Sequence, residues 1–187
     1  GDLGLAQTGR LHLQLTSRPL SEYAGAVGEL CDMYRNLRPL SLRVECTADP
    51  SLRVVADRRK VMRAVGGLIQ NAVKFTEDGG EVDVRLRVED GVLAFDVADT
   101  GIGVSDNERQ KIFEPFYETG DVRYHRTSRY EFGGGGLGVG LSVARAIAGA
   151  HGGSVEYHPR EGKGSGFSIR VPVAGPPRDL ARDEVVH

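Results

Sequence analysis

The chain has 187 residues, 40% of them hydrophobic and 27% charged, with 24 Lys plus Arg against 26 Asp plus Glu. That is the composition of one soluble globular domain with a real core, and its net charge of −2 gives no general basis for nucleic-acid binding. Two cysteines without metal-type spacing, no apolar run of membrane-spanning length and no signal peptide point to a reducing, cytoplasmic setting.

Residues 1–19 are broken by Gly9, Ser17 and Pro19 and read as a connector. The chain starts without a methionine, so a longer parent protein is expected. From Ser21, residues Tyr23, Ala24, Val27, Leu30, Cys31 and Tyr34 fall on one helix face, and Pro39 stops that helix. Leu42, Val44 and Cys46 alternate with polar residues as in a half-buried strand, and Arg53–Ala56 reads as a short second strand. Asp57 is placed to cap the next helix, whose core face carries Val61, Val65, Leu68, Ala72 and Phe75. Gly67, Asn71 and Lys74 share a different face of it, which by itself suits plain solvent exposure.

Val82, Val84, Leu86 and Val88 alternate with charged residues, Asp90-Gly91 makes a hairpin turn, and a return strand runs from Val92 into Asp99-Thr100-Gly101-Ile102-Gly103. Ser105 and Glu108 form a capping-box pattern for a short helix to Ile112. The stretch from Glu118 to Glu131 is polar and aperiodic, as in a functional loop or lid, and carries Arg123, His125, Arg126 and Arg129. Six of the eight residues from Gly133 to Gly140 are glycine. They open into an apolar helical stripe of Leu141, Val143, Ala144, Ile147 and Ala148, stopped by Gly152-Gly153. Strands follow at Ser154–His158 and Phe167–Val173, then a loose tail over 175–187. Alternating strands bury one face only, so the helices must gather there. The expectation is an α/β two-layer sandwich, with a mixed, mostly antiparallel sheet and about three helices on one face.

The glycine run is a plausible anion cradle, because free amides and the helix dipole point the same way. Gly133-x-Gly135-x-x-Gly138 matches a dinucleotide fingerprint, but the basic, polar residues before it make a poor buried strand and too little chain follows for the remaining βαβ units. A Walker loop fails for want of Lys-Ser or Lys-Thr. Asp99-Thr100-Gly101 suits a bare strand-to-turn junction. It also suits a buried carboxylate accepting from the exocyclic amine of adenine; guanine would oppose it acceptor to acceptor. An aspartic-protease dyad would need a second such triplet.

Five stretches together carry a family resemblance. Leu68–Thr76 around Asn71 resembles an N box, Asp99-Thr100-Gly101-Ile102-Gly103 a G1 box and Phe113-Glu114-Pro115-Phe116 an F box. Gly136-Leu137-Gly138-Val139-Gly140-Leu141 resembles a G2 box, and Gly164-Ser165-Gly166-Phe167 the last glycine box. In that order, from about Ser21 to Val173, they resemble the catalytic, ATP-binding domain of sensor histidine kinases, in the superfamily of gyrase-type ATPases and a chaperone family. The resemblance implies the Bergerat-type fold over 20–174, with ATP and Mg²⁺ as cofactors and the γ-phosphate passed to a histidine on a separate helical domain. Asn71 would ligate Mg²⁺ and Lys74 would lie near the phosphates. Asp99 would take the adenine amine, with Gly101 and Gly103 admitting the base and Ser165 completing a water network. Residues 113–140, including Phe116, Gly136, Leu137, Gly138, Val139 and Gly140 and running on to Leu141, would form the ATP lid.

The implied partners are the dimerisation and phosphoacceptor domain of the same kinase and a response regulator, with a homodimer formed by the full-length protein. No nucleic-acid or direct membrane contact is implied. His12 lacks the sequence context of an acceptor histidine, so residues 1–19 are expected to follow a missing dimerisation domain. Two positions depart from the family pattern. Gly67 stands where histidine kinases usually carry Asn and the hydrolysing relatives a general-base Glu, and Glu118 stands where an arginine is common.

Overall fold

The computed structural model describes residues 11–109, 111–113, 137–160 and 162–173. In chain order these form β1 (Thr16–Pro19), α1 (Leu20–Leu37), β2 (Ser41–Cys46), β3 (Arg53–Ala56) and α2 (Arg58–Phe75). β4 (Glu81–Glu89), β5 (Val92–Asp99), α3 (Leu137–Ala150), β6 (Ser154–Pro159) and β7 (Ser165–Pro172) follow. The main sheet has the order β2-β4-β5-β7-β6, with β2 parallel to β4 and every other pair antiparallel. This is the two-layer sandwich with a mixed, mostly antiparallel sheet that the alternation predicts.

The alternation also sets which face is buried. The register aligns Leu86 with Phe95 and Phe95 with Ile169, and all three are fully or almost fully buried. They meet Val27 and Cys31 of α1, Leu68 and Ile69 of α2, and Ala144 and Ile147 of α3 in one core. The opposite face carries cross-strand ion pairs, Arg43–Asp83 at 2.7 Å and Arg87–Asp96 at 2.6 Å. Asp90-Gly91 turns the β4–β5 hairpin with φ of 52° and 74°, a left-handed pair that Asp and Gly adopt at low cost. Asp57 caps α2 as expected, its carboxylate accepting from the Lys60 N–H at 3.1 Å.

Three local expectations change. The end of the lead-in is built into the domain, for Thr16–Pro19 pairs antiparallel with Arg53–Ala56 in a small second sheet. Between Ser105 and Ile112 no helix is described. Glu108 and Arg109 donate to the Ser105 carbonyl, and Lys111 and Ile112 to that of Glu108, so turn follows turn over a stretch too short to repay helix nucleation. α3 begins at Leu137, ahead of the apolar stripe that starts at Leu141. Among the described residues no helix is long and apolar enough to cross a membrane.

Candidate functional site

β5 ends at Asp99, on the buried side of the sheet and beside the last turn of α2. Its carboxylate Oδ1 accepts from the Gly101 N–H at 2.8 Å and from the Ser165 N–H at 3.3 Å. Among the described residues both bonds fall on Oδ1, so Oδ2 is the oxygen left to accept from a ligand. Burial pushes the Asp99 carboxyl up to about 6, against the pull of those two N–H groups and of the Arg160 charge. Asp99 is therefore mostly ionised at neutral pH.

A narrow cavity opens at this carboxylate, walled by Ala72, Phe75, Ile102, Val104 and Phe167, with Asn71, Gly103 and Ser165 at its edges. Its volume is about 20 Å³, room for about one water. Five apolar side chains, one carboxylate and one amide make a place for a flat, mostly apolar group with a polar rim. A larger guest needs the walls to part, and Ile102 and Val104 lie outside any helix or strand.

Two glycines are required by what they touch. A Cβ on Gly101 would sit 2.4 Å from the Phe75 carbonyl oxygen, so only glycine lets the turn after β5 lie on the end of α2. Gly164, with φ of +123°, would bring a Cβ within 2.1 Å of the Asp99 carbonyl oxygen. The end of α2 is itself held by Arg38, whose buried guanidinium donates to the carbonyls of Val73 and Thr76 and to Asp78.

Asn71 is half-buried with its amide nitrogen shut off from solvent, which departs from the plain reading of its helix face. A Cβ on Gly140 of α3 would lie 3.3 Å from Asn71 Nδ2, and one on Gly67 would lie 3.9 Å from the Gly140 carbonyl. Asn71 Nδ2 is buried without a hydrogen-bond partner among the described residues. An orphaned amide beside a cavity is costly in a closed fold and points to a polar guest. Lys74 holds its ammonium 5.5 Å from the centre of the Phe75 ring. Among the described residues no cluster of three or more His, Cys, Asp or Glu side chains could hold a metal. A single amide oxygen does suit Mg²⁺, which takes few protein ligands and completes its shell with water and phosphate oxygens.

The structure thus brings Asn71, Asp99, Gly103 and Ser165 to one cavity, with Gly101 behind Asp99 and Gly140 against Asn71. Ser165 reaches Asp99 through its backbone N–H. Leu141 is fully buried in the core. Leu137, Gly138 and Val139 belong to the first turn of α3, while Phe116 and Gly136, with most of the expected lid, lie outside the described residues.

Residues 56–175 match the family model described as histidine kinase-, DNA gyrase B-, and HSP90-like ATPase. The chain belongs to that family. It is 40% identical over 122 residues to the histidine protein kinase DivJ of Caulobacter vibrioides, a match covering 65% of this chain and 19% of DivJ. The catalytic domain of the histidine kinase ThkA, in nucleotide-free form, superposes with a TM-score of 0.71 at 25% identity, covering 86% of this chain and 97% of that one. Full-length ShkA in complex with AMPPNP superposes with a TM-score of 0.74 at 25% identity, covering 94% and 35%. Within the family the chain is therefore an ATP-binding catalytic domain of the sensor histidine kinase kind. It spans about a fifth of the length of the curated relatives it matches.

Three residues of this histidine kinase domain escape sequence reasoning. Arg160 donates from Nη1 to the Asp99 carbonyl at 2.8 Å. His151 bolts α3 to α2: its Nε2 accepts from the Asp57 N–H at 3.0 Å and its Nδ1 lies 2.7 Å from the Ile147 carbonyl. Arg38 is the third. All act on backbone groups distant in sequence, which no local pattern announces. Ile102 and Val104 had a signal, as the apolar residues inside the glycine turn after Asp99.

Proposed function

We propose that the cavity at Asp99 receives the adenine of ATP, that Asn71 ligates the accompanying Mg²⁺, and that the γ-phosphate passes to a histidine on a separate helical domain. The observation that carries this is the division of labour on Asp99: Oδ1 is held by two backbone N–H groups, and Oδ2 remains at a cavity with apolar walls. Such an acceptor pairs with the adenine amine and repels the guanine carbonyl. The base needs more room than the closed cavity offers, so binding moves Ile102 and Val104 outward. Gly103 (φ +75°) lets that segment turn tightly.

Asn71 would present its amide oxygen to Mg²⁺, which would neutralise charge on the phosphates. Lys74, one turn further along α2, would add positive charge on that side. Gly140 at the start of α3 would let the helix backbone approach the phosphates. Phe116 and the glycines from Gly136 would close over the nucleotide as a lid. Transfer then needs no covalent intermediate on this domain: an imidazole nitrogen of the acceptor attacks the γ-phosphorus in line as ADP leaves, and the domain contributes position and charge. The partners are the dimerisation and acceptor domain of a longer, homodimeric kinase and a response regulator, in the cytoplasm.

A second reading is favoured by Gly67. The nearest heavy atom to a Cβ there is 3.9 Å away, so packing does not demand glycine and the polar group usual at this point is simply missing. A domain that binds nucleotide but transfers slowly would result. Calorimetric titration of ATP with and without Mg²⁺, followed by addition of the cognate helical domain, separates the two. Kinase function predicts Mg²⁺-dependent tightening, lost in Asn71→Ala, and acid-labile phosphohistidine on the helical domain. Tight binding without phosphohistidine selects the second reading, and no ATP binding rejects both.

A further inference from the structure

We propose that Arg160 is a positioning residue for the adenine-binding carboxylate, gripping the Asp99 backbone from the β6–β7 turn and fixing how the side chain meets the base. The inference rests on the reading of Asp99 as the adenine acceptor.

Arg160 follows the last residue of β6 and stands beside the end of β7, where Pro159 is the register partner of Ser165 and Ser165 that of Asp99. The Ser165 N–H is directed to the Asp99 carboxylate, and Arg160 supplies a donor to the Asp99 carbonyl. The Gly164 backbone lies against the same carbonyl, so close that a Cβ there would be 2.1 Å from it. Asp99 is thus clamped at carbonyl and carboxylate by one turn, and Arg160 is the part of that clamp made by a side chain. Its guanidinium fork is pre-organised for such a contact in a way a lysine ammonium is not.

The clamp also carries charge. Other ionised groups near the turn are engaged elsewhere: Lys163 with Glu77 at 3.7 Å, Glu81 with Arg43 at 3.6 Å, and Lys74 over the Phe75 ring. Among the described residues Arg160 is the charged group that acts on Asp99, and it favours the ionised carboxylate against the opposing effect of burial. Without it Asp99 protonates at higher pH, and a protonated acid is a poorer acceptor for an amine.

The test uses the 187-residue chain and two readouts. The first is a carboxyl ¹³C titration of Asp99 without nucleotide, in wild type, Arg160→Gln and Arg160→Lys. The midpoint is expected to rise above its wild-type value of about 6 in R160Q, and R160K, which keeps the charge, returns it toward wild type. The second is the dissociation constant of ATP across the same pH range. Near pH 6 the R160Q variant should bind ATP more weakly than wild type, in proportion to its smaller ionised fraction, and the difference should vanish well above that pH. An Asp99 midpoint unchanged in R160Q, or equally raised in R160K, overturns the inference whatever ATP does. Undiminished ATP affinity in Asp99→Asn overturns the adenine reading instead, and leaves the ¹³C result to judge Arg160 on its own.

Discussion

Replacing Asp99 with Asn should stabilise the domain while weakening its hold on ATP. Asn keeps an oxygen for the Gly101 and Ser165 N–H groups, so the turn after β5 is preserved. What it removes is a buried charge. A carboxyl raised from 3.8 to about 6 on folding opposes the ionised native state by about 3 kcal/mol, at 1.36 kcal/mol per pH unit. The sign follows from proton binding. The folded protein binds this proton more readily than the unfolded chain, so the cost of Asp99 is absent well below pH 3.8, grows as pH rises, and is complete above about pH 6. Urea denaturation of wild type and D99N should therefore show a gain approaching 3 kcal/mol near pH 7.5, shrinking to about 1 kcal/mol near pH 4.5. The amide nitrogen left at the cavity would oppose the adenine amine donor to donor, and ATP affinity should fall at least tenfold, roughly the worth of one mispaired buried polar group. A D99N variant less stable than wild type at pH 7.5, or one whose gain does not change with pH, refutes the reasoning.

Other perturbations have definite outcomes. Gly164→Ala puts a methyl into the Asp99 carbonyl at a positive φ, so it should cost about 2–4 kcal/mol in urea melts and weaken ATP binding in parallel. Tyr23 is fully buried against Phe95 with its hydroxyl unpartnered among the described residues, and Tyr23→Phe should leave stability unchanged or raise it by up to about 1 kcal/mol; a loss would reveal a bonded hydroxyl. Burial holds His151 below its ordinary 6.5, so the unfolded chain takes up that proton first and stability is lost as pH falls through 6.5. In His151→Gln that acid limb should flatten relative to wild type in denaturation curves measured across pH.

The sheet and helices were legible because their cores follow simple periods. Leu86, Phe95 and Ile169 alternate with polar residues, and Val61, Val65 and Leu68 recur at helical spacing. Local chemistry also showed through where the interaction is short in sequence, as at the Asp57 cap and the Asp90-Gly91 turn. Asp99 and Asn71 were legible as motif residues, yet the seam joining Asn71 to Gly140 was not, because it depends on how two helices distant in sequence cross. The β1–β3 pairing was hidden for the same reason, in a four-residue strand ending in proline. Arg38, His151 and Arg160 spend their side chains on carbonyls and N–H groups of remote segments. Such contacts leave no trace in composition or spacing, although those of Arg38 and Arg160 hold segments that border the cavity.

The central claim is that the carboxylate of Asp99 reads an adenine amine. Parallel calorimetric titrations of the chain with Mg·ATP and Mg·GTP test it most directly, since the two nucleotides share phosphates and ribose and differ at the base. An adenine-reading carboxylate gives saturable binding of ATP and at least tenfold weaker binding of GTP, as expected when a buried acceptor faces a carbonyl. Equal affinities would contradict it, and would mean that the phosphates alone hold the nucleotide while the cavity at Asp99 stays closed.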